Sequence, residues 1–270
     1  WPAPPRYVVL SHEDIDHVAG NQLFENAEII AHRTMPERMK LAADPAENQH
    51  LLHAVADPAT REILQAAHPG LLAAGSQLGE NYDFSGIELV MPTILFDDRY
   101  VLDLDGTEVE LIYVGPAHQV GDVIVHVPSE GVVFTGDVLF HECTPMGWVG
   151  SYDQFFRAID MIIDLNPSTI VPGHGPVCDI DALRDERAYF QHVYDESKIF
   201  FDQGLSAKEA AERIELGRYG AWKAPARLAL NVERAYREFR NEAPDAPWDM
   251  PAIFDAIYAV ANTRGLPVEY

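Results

Sequence analysis

Four times before Pro176, a short run rich in Val and Ile is followed within a few residues by a histidine or an aspartate. The runs are Tyr7–Leu10, Glu108–Val114, Gly131–Thr135 and Thr169–Val171, and the polar residues after them are His12, His118, Asp137 and His174. Runs of this kind, bounded by Gly, Pro, Asp or Ser, are typical of β-strands. Because functional side chains are commonly carried by the loops at strand ends, the pattern predicts that the four residues converge at one edge of an α/β fold.

Helical patterns separate these runs and then dominate the rest of the chain. The predicted helices before residue 179 are Pro36–Leu41, Pro58–Ala74 and Tyr152–Leu165. From Asp179 onward the pattern is mostly helical, and Ser206–Glu209 has the sequence of a capping box. We therefore expect a body over residues 1–178 and a C-terminal helical extension over residues 179–270 that packs on it.

The densest group of polar residues directly follows the first run. Its sequence is Ser11-His12-Glu13-Asp14-Ile15-Asp16-His17. Imidazole nitrogen and carboxylate oxygen are ligands of catalytic zinc and iron. The potential metal ligands assigned within these residues are four: His12, Asp14, Asp16 and His17. The alternative is a chance surface cluster, because Asp and Glu make up 43 of the 270 residues.

The three later segments favour the metal site over the chance cluster. They are Gly115–Asp122 around His118, Gly136-Asp137, and Gly173-His174-Gly175. Glycines beside a strand-end residue let the backbone turn sharply and expose that side chain. Each segment alone is a weak signal, but their order after successive strands indicates a single site.

These motifs resemble those of the metallo-β-lactamase-fold superfamily, over Tyr7 to about Pro176. That family has a His-x-His-x-Asp-His motif followed by a single His, an Asp and a single His at strand ends. The resemblance implies an α/β (α+β) fold, an αβ/βα four-layer sandwich with metal ions at one edge. Residues 1–178 would then form the catalytic domain.

The resemblance also implies a ligand set for two divalent ions. His12, Asp14 and His118 would hold the first ion, Asp16, His17 and His174 the second, and Asp137 would bridge them. Asp14 departs from the family pattern, which usually has a His there, although flavodiiron oxidoreductases have a Glu. Zinc is the expected metal; the harder carboxylate donor shifts the preference somewhat toward iron or manganese. The alternative is that Asp14 only accepts a hydrogen bond, which would leave one tight and one weak metal.

A second departure concerns the start of the chain. Family members normally have several strands before the motif, whereas ten residues precede Ser11 here. We therefore expect N-terminal strands of the family's first sheet to be missing from this chain.

The implied reaction is hydrolysis, in which a metal-bridging hydroxide attacks an ester, thioester, lactone or lactam carbonyl. Asp16 would accept the proton of the attacking water, and the chain has no Gly-x-Ser-x-Gly motif for a serine nucleophile. One alternative is a non-haem iron oxidoreductase, either flavodiiron-like or persulfide-dioxygenase-like. A fused flavodoxin-like domain is disfavoured because the stretch after Asp179 lacks βαβ alternation. A non-catalytic member of the fold is a lesser alternative, supported only by Asp14.

Several aromatic and polar residues are candidates for substrate binding. His141, Trp148 and Tyr152 follow Asp137 and should lie near the metal edge, as should Glu142, Cys143 and Met146. Tyr219 and Trp222, in the helical extension, could cover the pocket. The alternative for the aromatic residues is plain packing in the core.

Composition limits the partners. The formal charge of −24 disfavours nucleic acid and anionic membranes, which bind basic surfaces. No apolar run reaches the roughly 18 residues of a transmembrane helix. The two cysteines, Cys143 and Cys178, are expected to be reduced thiols. We expect a cytoplasmic protein that acts on a small-molecule substrate, either as a monomer or as a homodimer. A targeting segment before Trp1 would not be visible in this sequence.

Overall fold

The computed structural model describes residues 3–243 and 246–270, and the strands within these residues form two sheets. They are β1 (Tyr7–Val9), β2 (Glu28–His32), β3 (Ile94–Phe96), β4 (Arg99–Leu104), β5 (Thr107–Tyr113), β6 (Val123–Val127), β7 (Val132–Phe140) and β8 (Thr169–His174). The first sheet is parallel, with the order β1-β2-β3. The second has the order β4-β5-β6-β7-β8 and is antiparallel except for the pair β7–β8.

Helices follow β1 and β2, cover the second sheet and form the C-terminal region. They are α1 (Ile15–Val18), α2 (Met35–Ala42), α3 (Pro45–Ala56), α4 (Pro58–Ala67), α5 (Pro69–Asn81), α6 (Tyr152–Asp164), α7 (Ile180–Asp202), α8 (Ala207–Arg213), α9 (Leu228–Phe239) and α10 (Met250–Arg264). Within the described residues, none of these helices combines the length and the apolar character needed to cross a membrane.

The two sheets pack against each other through one apolar cluster. Leu10 and Ile29 on the side of the first sheet belong to the same cluster as Leu111 and Val123 of the second. Residues 29 to 32 of β2 are all buried. Because successive strand side chains point to opposite faces, both faces of β2 are covered. This mixed α/β architecture, with its helical C-terminal region, confirms the predicted fold class.

The outer face of the second sheet is covered by helices. Phe155, Ile159 and Ile162 of α6 are fully buried and pack in the same cluster as Val133 and Ile170 of the sheet. Their three- and four-residue spacing is the apolar stripe expected from the sequence. A capping box formed by Ser151 and Gln154, residues just before and inside the first turn, starts α6.

The region between β2 and β3 differs from the sequence prediction. The helix predicted over Pro58–Ala74 is two helices, α4 and α5, separated at His68. The break has a local cause, since a proline at position 69 disfavours helical geometry in the residue before it, and His68 has φ −142°. Helix α3 was not predicted; the Asp44 side chain caps it by accepting the Ala46 N–H.

The C-terminal helices pack directly on earlier parts of the chain. Asp255 of α10 accepts hydrogen bonds from the Gly70 N–H and from His68 at the start of α5, both at 2.8 Å. Helix α8 begins at the predicted capping box of Ser206 and Glu209. The two cysteines are free thiols, as predicted.

Candidate metal centre

The four strand-associated residues meet at one edge of the second sheet. His12 lies beyond β1, in a segment tied to β6 by the hydrogen bond from the Val123 N–H to the Ser11 carbonyl. His118 lies in the turn between β5 and β6, and His174 is the last residue of β8. These positions follow the expectation from the sequence.

Asp137 is placed differently from the prediction, because it lies inside β7 and not after it. The strand continues to Phe140. Its pairing with β8 shifts register on both sides of Gly136, between Phe134 and Gly136 and again between Gly136 and Phe140. Gly136 has a φ of 51°, in the left-handed region. The resulting irregularity turns the Asp137 carboxylate toward the histidines, and the side chain is only 4% exposed.

Two groups of three side chains can each hold a cation, because one ligand atom from every member lies within 4.8 Å of the others. The groups are His12, Asp14 and His118, and Asp16, His17 and His174. A third group, His12, His17 and Asp137, links them. The two main groups have the membership expected from the sequence.

Asp137 lies between the two groups. Its Oδ2 is 3.5 Å from His118 Nε2 and 3.3 Å from His174 Nε2. Its Oδ1 is 3.3 Å from His17 Nε2. One carboxylate therefore faces ligands of both groups, which is the position a bridging ligand requires.

Buried atoms without partners show that the residues fit a metal. His12 Nε2, His17 Nε2 and Asp137 Oδ1 are buried and have no hydrogen-bond partner. Leaving such an atom unsatisfied costs about 1–3 kcal/mol. All three belong to the linking group and face its centre, where nitrogen and oxygen donors suit zinc, iron or manganese.

The electrostatics of the site also favour a cation. Burial alone would lower the pKa of His118, but the Asp137 and Asp14 carboxylates raise it to about 10. Burial opposes ionisation of Asp137, yet the surrounding imidazoles, His118 foremost, hold the pKa of this carboxyl well below its usual range. The carboxylates thus create a negative potential. A metal ion that binds there displaces protons from the imidazoles, so its affinity decreases at low pH.

The tautomer of His118 is fixed by the main chain. Its Nδ1 lies 2.6 Å from the Met146 carbonyl oxygen. A carbonyl only accepts hydrogen bonds, so Nδ1 carries a proton, and a metal that displaces the second proton would be bound through Nε2. Asp14 Oδ2 is 3.0 Å from that Nε2, while Gln119 donates to Asp14 Oδ1 at 2.7 Å.

Two buried acids that the sequence analysis did not assign hold the His118 turn. Glu13 accepts hydrogen bonds from the Val120 and Gly121 N–H groups, at 3.2 and 3.0 Å. Asp122 accepts from the N–H groups on either side of His118, at 3.1 and 2.9 Å. Glu13 lies directly between His12 and Asp14, and Asp122 ends the Gly115–Asp122 segment around His118, so their positions in these motifs were the available signal.

The substrate-binding candidates fall into two sets. His141 lies beside the site, since its N–H donates to the His174 carbonyl at 2.9 Å. The Trp148 main chain also lies beside it, because its N–H donates to the His118 carbonyl at 3.2 Å, whereas the ring packs on Trp248 with the centroids 5.7 Å apart.

The other three candidates lie in the helical core. Tyr152 is 1% exposed and its hydroxyl donates to the Asn231 carbonyl, so it is not available to a substrate. The rings of Tyr219 and Trp222 both pack on Tyr189, with centroids 5.3 and 5.5 Å away. Packing in the core is the alternative that the sequence allowed for these aromatic residues.

Comparison with known families identifies the superfamily to which this chain belongs. The family model described as the metallo-beta-lactamase superfamily matches residues 2–174. The chain belongs to the metallo-β-lactamase superfamily, which confirms the resemblance seen in the motifs.

Two curated relatives match shorter segments. A metallo-beta-lactamase type 2 of Bacteroides fragilis is 29% identical over 92 residues, covering 32% of this chain and 37% of the relative. A beta-lactamase-like protein 2 homolog of Caenorhabditis elegans is 31% identical over 83 residues, covering 31% of this chain and 27% of the relative. These matches therefore cover well under half of either relative.

Solved structures share the fold at low sequence identity. The stereoselective inverting sec-alkylsulfatase Pisa1 from Pseudomonas sp. superposes with a TM-score of 0.63 and 17% identity, over 92% of this chain and 43% of that one. A metallo-beta-lactamase family protein from Thermus thermophilus has a TM-score of 0.55 and 16% identity, over 89% of this chain and 78% of that one. The described C-terminal helices are thus largely included in the shared architecture.

Proposed function

We propose that this protein is a metal-dependent hydrolase that binds two divalent ions, preferably zinc, and cleaves an ester, thioester, lactone or lactam. The observation that supports this proposal is the pair of ligand groups facing each other across the buried Asp137. Membership of a superfamily that includes a β-lactamase and a sulfatase supports the reaction class.

Two ions held by these residues would supply a water-derived nucleophile at neutral pH and polarise the bond under attack. The candidate ligands of the two groups differ in their exposure to solvent. His12 and His118 are buried, whereas the Asp16 and His174 side chains are 40% and 42% exposed. We infer that substrate enters on the Asp16–His174 side, where Asp16 accepts the proton released by the attacking water.

A metal-depletion experiment tests the reaction class. The protein is dialysed against a chelator, reloaded with zinc, manganese or iron, and assayed with ester, thioester, lactone, β-lactam and sulfate-ester substrates. We expect at least one class to be hydrolysed, with activity lost on depletion and restored by zinc. Protein that holds two ions and hydrolyses none of these substrates would contradict the proposed function.

Metal binding should also stabilise the fold. An ion that binds only the folded chain adds about 2.7 kcal/mol to the free energy of unfolding at a concentration 100 times its Kd. We therefore expect chelator treatment to lower Tm in thermal melts and the free energy of unfolding in urea melts, and zinc to restore both. The His12→Ala variant is the control, because it should show a much smaller response; equal responses would place the ions elsewhere.

Asp14 favours a second candidate function, a non-haem iron oxidoreductase. Its Oδ2 faces His118 Nε2 at 3.0 Å, and a carboxylate at this position adds a hard donor to the ligand set. Metal analysis of protein purified without added metal discriminates between the two functions. Iron with redox activity toward O₂ or a persulfide would support the oxidoreductase, and zinc with hydrolysis would support our proposal.

Replacing Asp14 tests its role as a ligand. In Asp14→His a softer imidazole donor replaces the carboxylate, so zinc should gain over manganese. We expect the ratio of the two affinities, measured by competition with a chromophoric chelator, to rise about tenfold or more, since even partners of ligands change affinity by 10–100-fold. Asp164→His, at an exposed position, is the matched control. An unchanged ratio in Asp14→His would show that Asp14 is not a ligand.

A further inference from the structure

One face of α9 binds the main chain of residues 143–151, which we call the 143–151 loop. Asn231, Arg234 and Glu238 lie on this face, at the three- and four-residue spacing of helical neighbours. Asn231 is fully buried; its Nδ2 donates to the Pro145 carbonyl at 2.8 Å and its Oδ1 accepts the Gly147 N–H at 3.4 Å.

Arg234 extends the contact along the same loop. Its Nη2 donates to the Val149 and Ser151 carbonyls at 2.7 and 3.1 Å, and lies 3.5 Å from the Ala117 carbonyl. The side chain is 3% exposed, so this is a buried cation bound chiefly by main-chain oxygens. A Cβ added at Gly147 would lie 1.8 Å from Arg234 Nη1, so the close approach requires glycine there.

Two further side chains of the C-terminal region complete the contact. Glu238 accepts the Tyr152 N–H at 2.6 Å, where the loop enters α6. The Trp248 Nε1–H donates to the Trp148 carbonyl at 2.7 Å. Main-chain groups from Pro145 to Tyr152 are therefore bound by side chains from α9 and the segment after it.

The same loop holds His118. The Met146 carbonyl accepts the His118 Nδ1–H at 2.6 Å, and the Trp148 N–H donates to the His118 carbonyl at 3.2 Å. Met146 lies between the two residues that Asn231 binds. A shift of the loop would therefore move the partner that fixes the ring of His118.

We propose that Asn231 and Arg234 of α9 are positioning residues for the metal site, acting on His118 through the 143–151 loop. The inference rests on the proposed metal-binding function. The C-terminal helical region would then support the metal centre indirectly, because it binds the loop whose Met146 carbonyl accepts the His118 Nδ1–H. Loss of the direct partner of a metal ligand, here the Met146 carbonyl, typically costs 10–100-fold in metal affinity, and this sets the upper limit for an effect transmitted through the loop.

Arg234→Met tests the proposal, because methionine fills space but donates no hydrogen bond. We expect zinc affinity, measured by chelator competition, to fall by up to about tenfold, the lower end of the range for a direct partner of a ligand. The ¹⁵N resonances of the His118 ring should move as well, a change that a merely structural role would not cause. Arg240→Met, the same substitution just after α9 at an exposed position, should leave both measurements unchanged. Wild-type affinity and ring resonances in a folded Arg234→Met protein would overturn the proposal.

Two further measurements decide the matter if Arg234→Met does not fold. Arg234→Lys keeps the charge but has fewer donors, and should show an intermediate loss of affinity. In the wild-type protein, zinc should slow hydrogen exchange of the Gly147, Trp148 and Tyr152 amides, because coupling between sites is reciprocal. Unchanged exchange at these amides would overturn the proposal without any variant.

The outcome also separates this inference from the proposed function. If His12→Ala loses the zinc ion of its own ligand group while Arg234→Met and Arg234→Lys bind zinc as the wild type does, only the positioning role fails. If His12→Ala binds zinc normally, the metal site itself is wrong.

Discussion

Replacing Asp137 with Ala is expected to remove both metal ions and to reduce hydrolysis by more than about 100-fold. The expected loss is large because Asp137 faces ligands of both groups, and loss of a mere partner of a ligand already costs 10–100-fold in affinity or activity. Metal content per chain by atomic emission, measured beside turnover, checks the result.

The matched control is Asp164→Ala. Asp164 is exposed and is the last residue of the 13-residue helix α6. This variant should keep two ions and full turnover. An Asp137→Ala protein with normal metal content and near-normal turnover would show that Asp137 is not a ligand.

Replacing Gly173 with Ala is expected to damage the site almost as severely, although Gly173 offers no ligand. A Cβ at this position would lie 1.9 Å from Asp137 Oδ1 and 2.7 Å from the Gly136 carbonyl carbon. The main chain cannot yield easily, so the Asp137 carboxylate must move away from the histidines. We expect a loss of about 1–3 kcal/mol in the free energy of unfolding, the usual cost of overpacking, and weaker zinc binding.

Gly20→Ala is the matched control, since a Cβ added there meets nothing within 4 Å. Urea melts with and without zinc, together with chelator competition, measure both effects. A Gly173→Ala variant with the stability and zinc affinity of Gly20→Ala would refute the close contact.

The candidate ligands could be picked out in the sequence because His12, His118, Asp137 and His174 each follow an apolar run, Asp14, Asp16 and His17 lie beside His12, and glycines adjoin Asp137 and His174. His118 and His174 lie where that pattern indicated. Asp137 was predicted after a strand but lies inside one, because the pattern does not show that β7 continues past Gly136.

The supporting contacts could not be predicted, because they join residues far apart in the chain. Arg234 and Asn231 belong to an ordinary amphipathic helix in the sequence, and only the folded chain brings them to loop carbonyls more than 80 residues away. Tyr152 illustrates the same limit. Its distance from Asp137 along the chain suggested a pocket, whereas its apolar neighbours in α6 place it in the core.

The helices between β2 and β3 show a local limit. Residues 58–74 have a composition typical of a helix, and the prediction of one continuous helix ignored the effect of Pro69 on His68. The break at His68 was therefore missed. Helix α3 was missed although Asp44-Pro45 is a normal helix start.

The most direct test of the metal centre is anomalous X-ray diffraction at the zinc absorption edge from crystals of the zinc-loaded protein. We predict two peaks about 3.5–4 Å apart. One should lie among His12, Asp14 and His118, and the other among Asp16, His17 and His174, with the Asp137 carboxylate between them. Peaks at other positions, or no peak at this edge of the sheet in protein saturated with zinc, would contradict the proposed site.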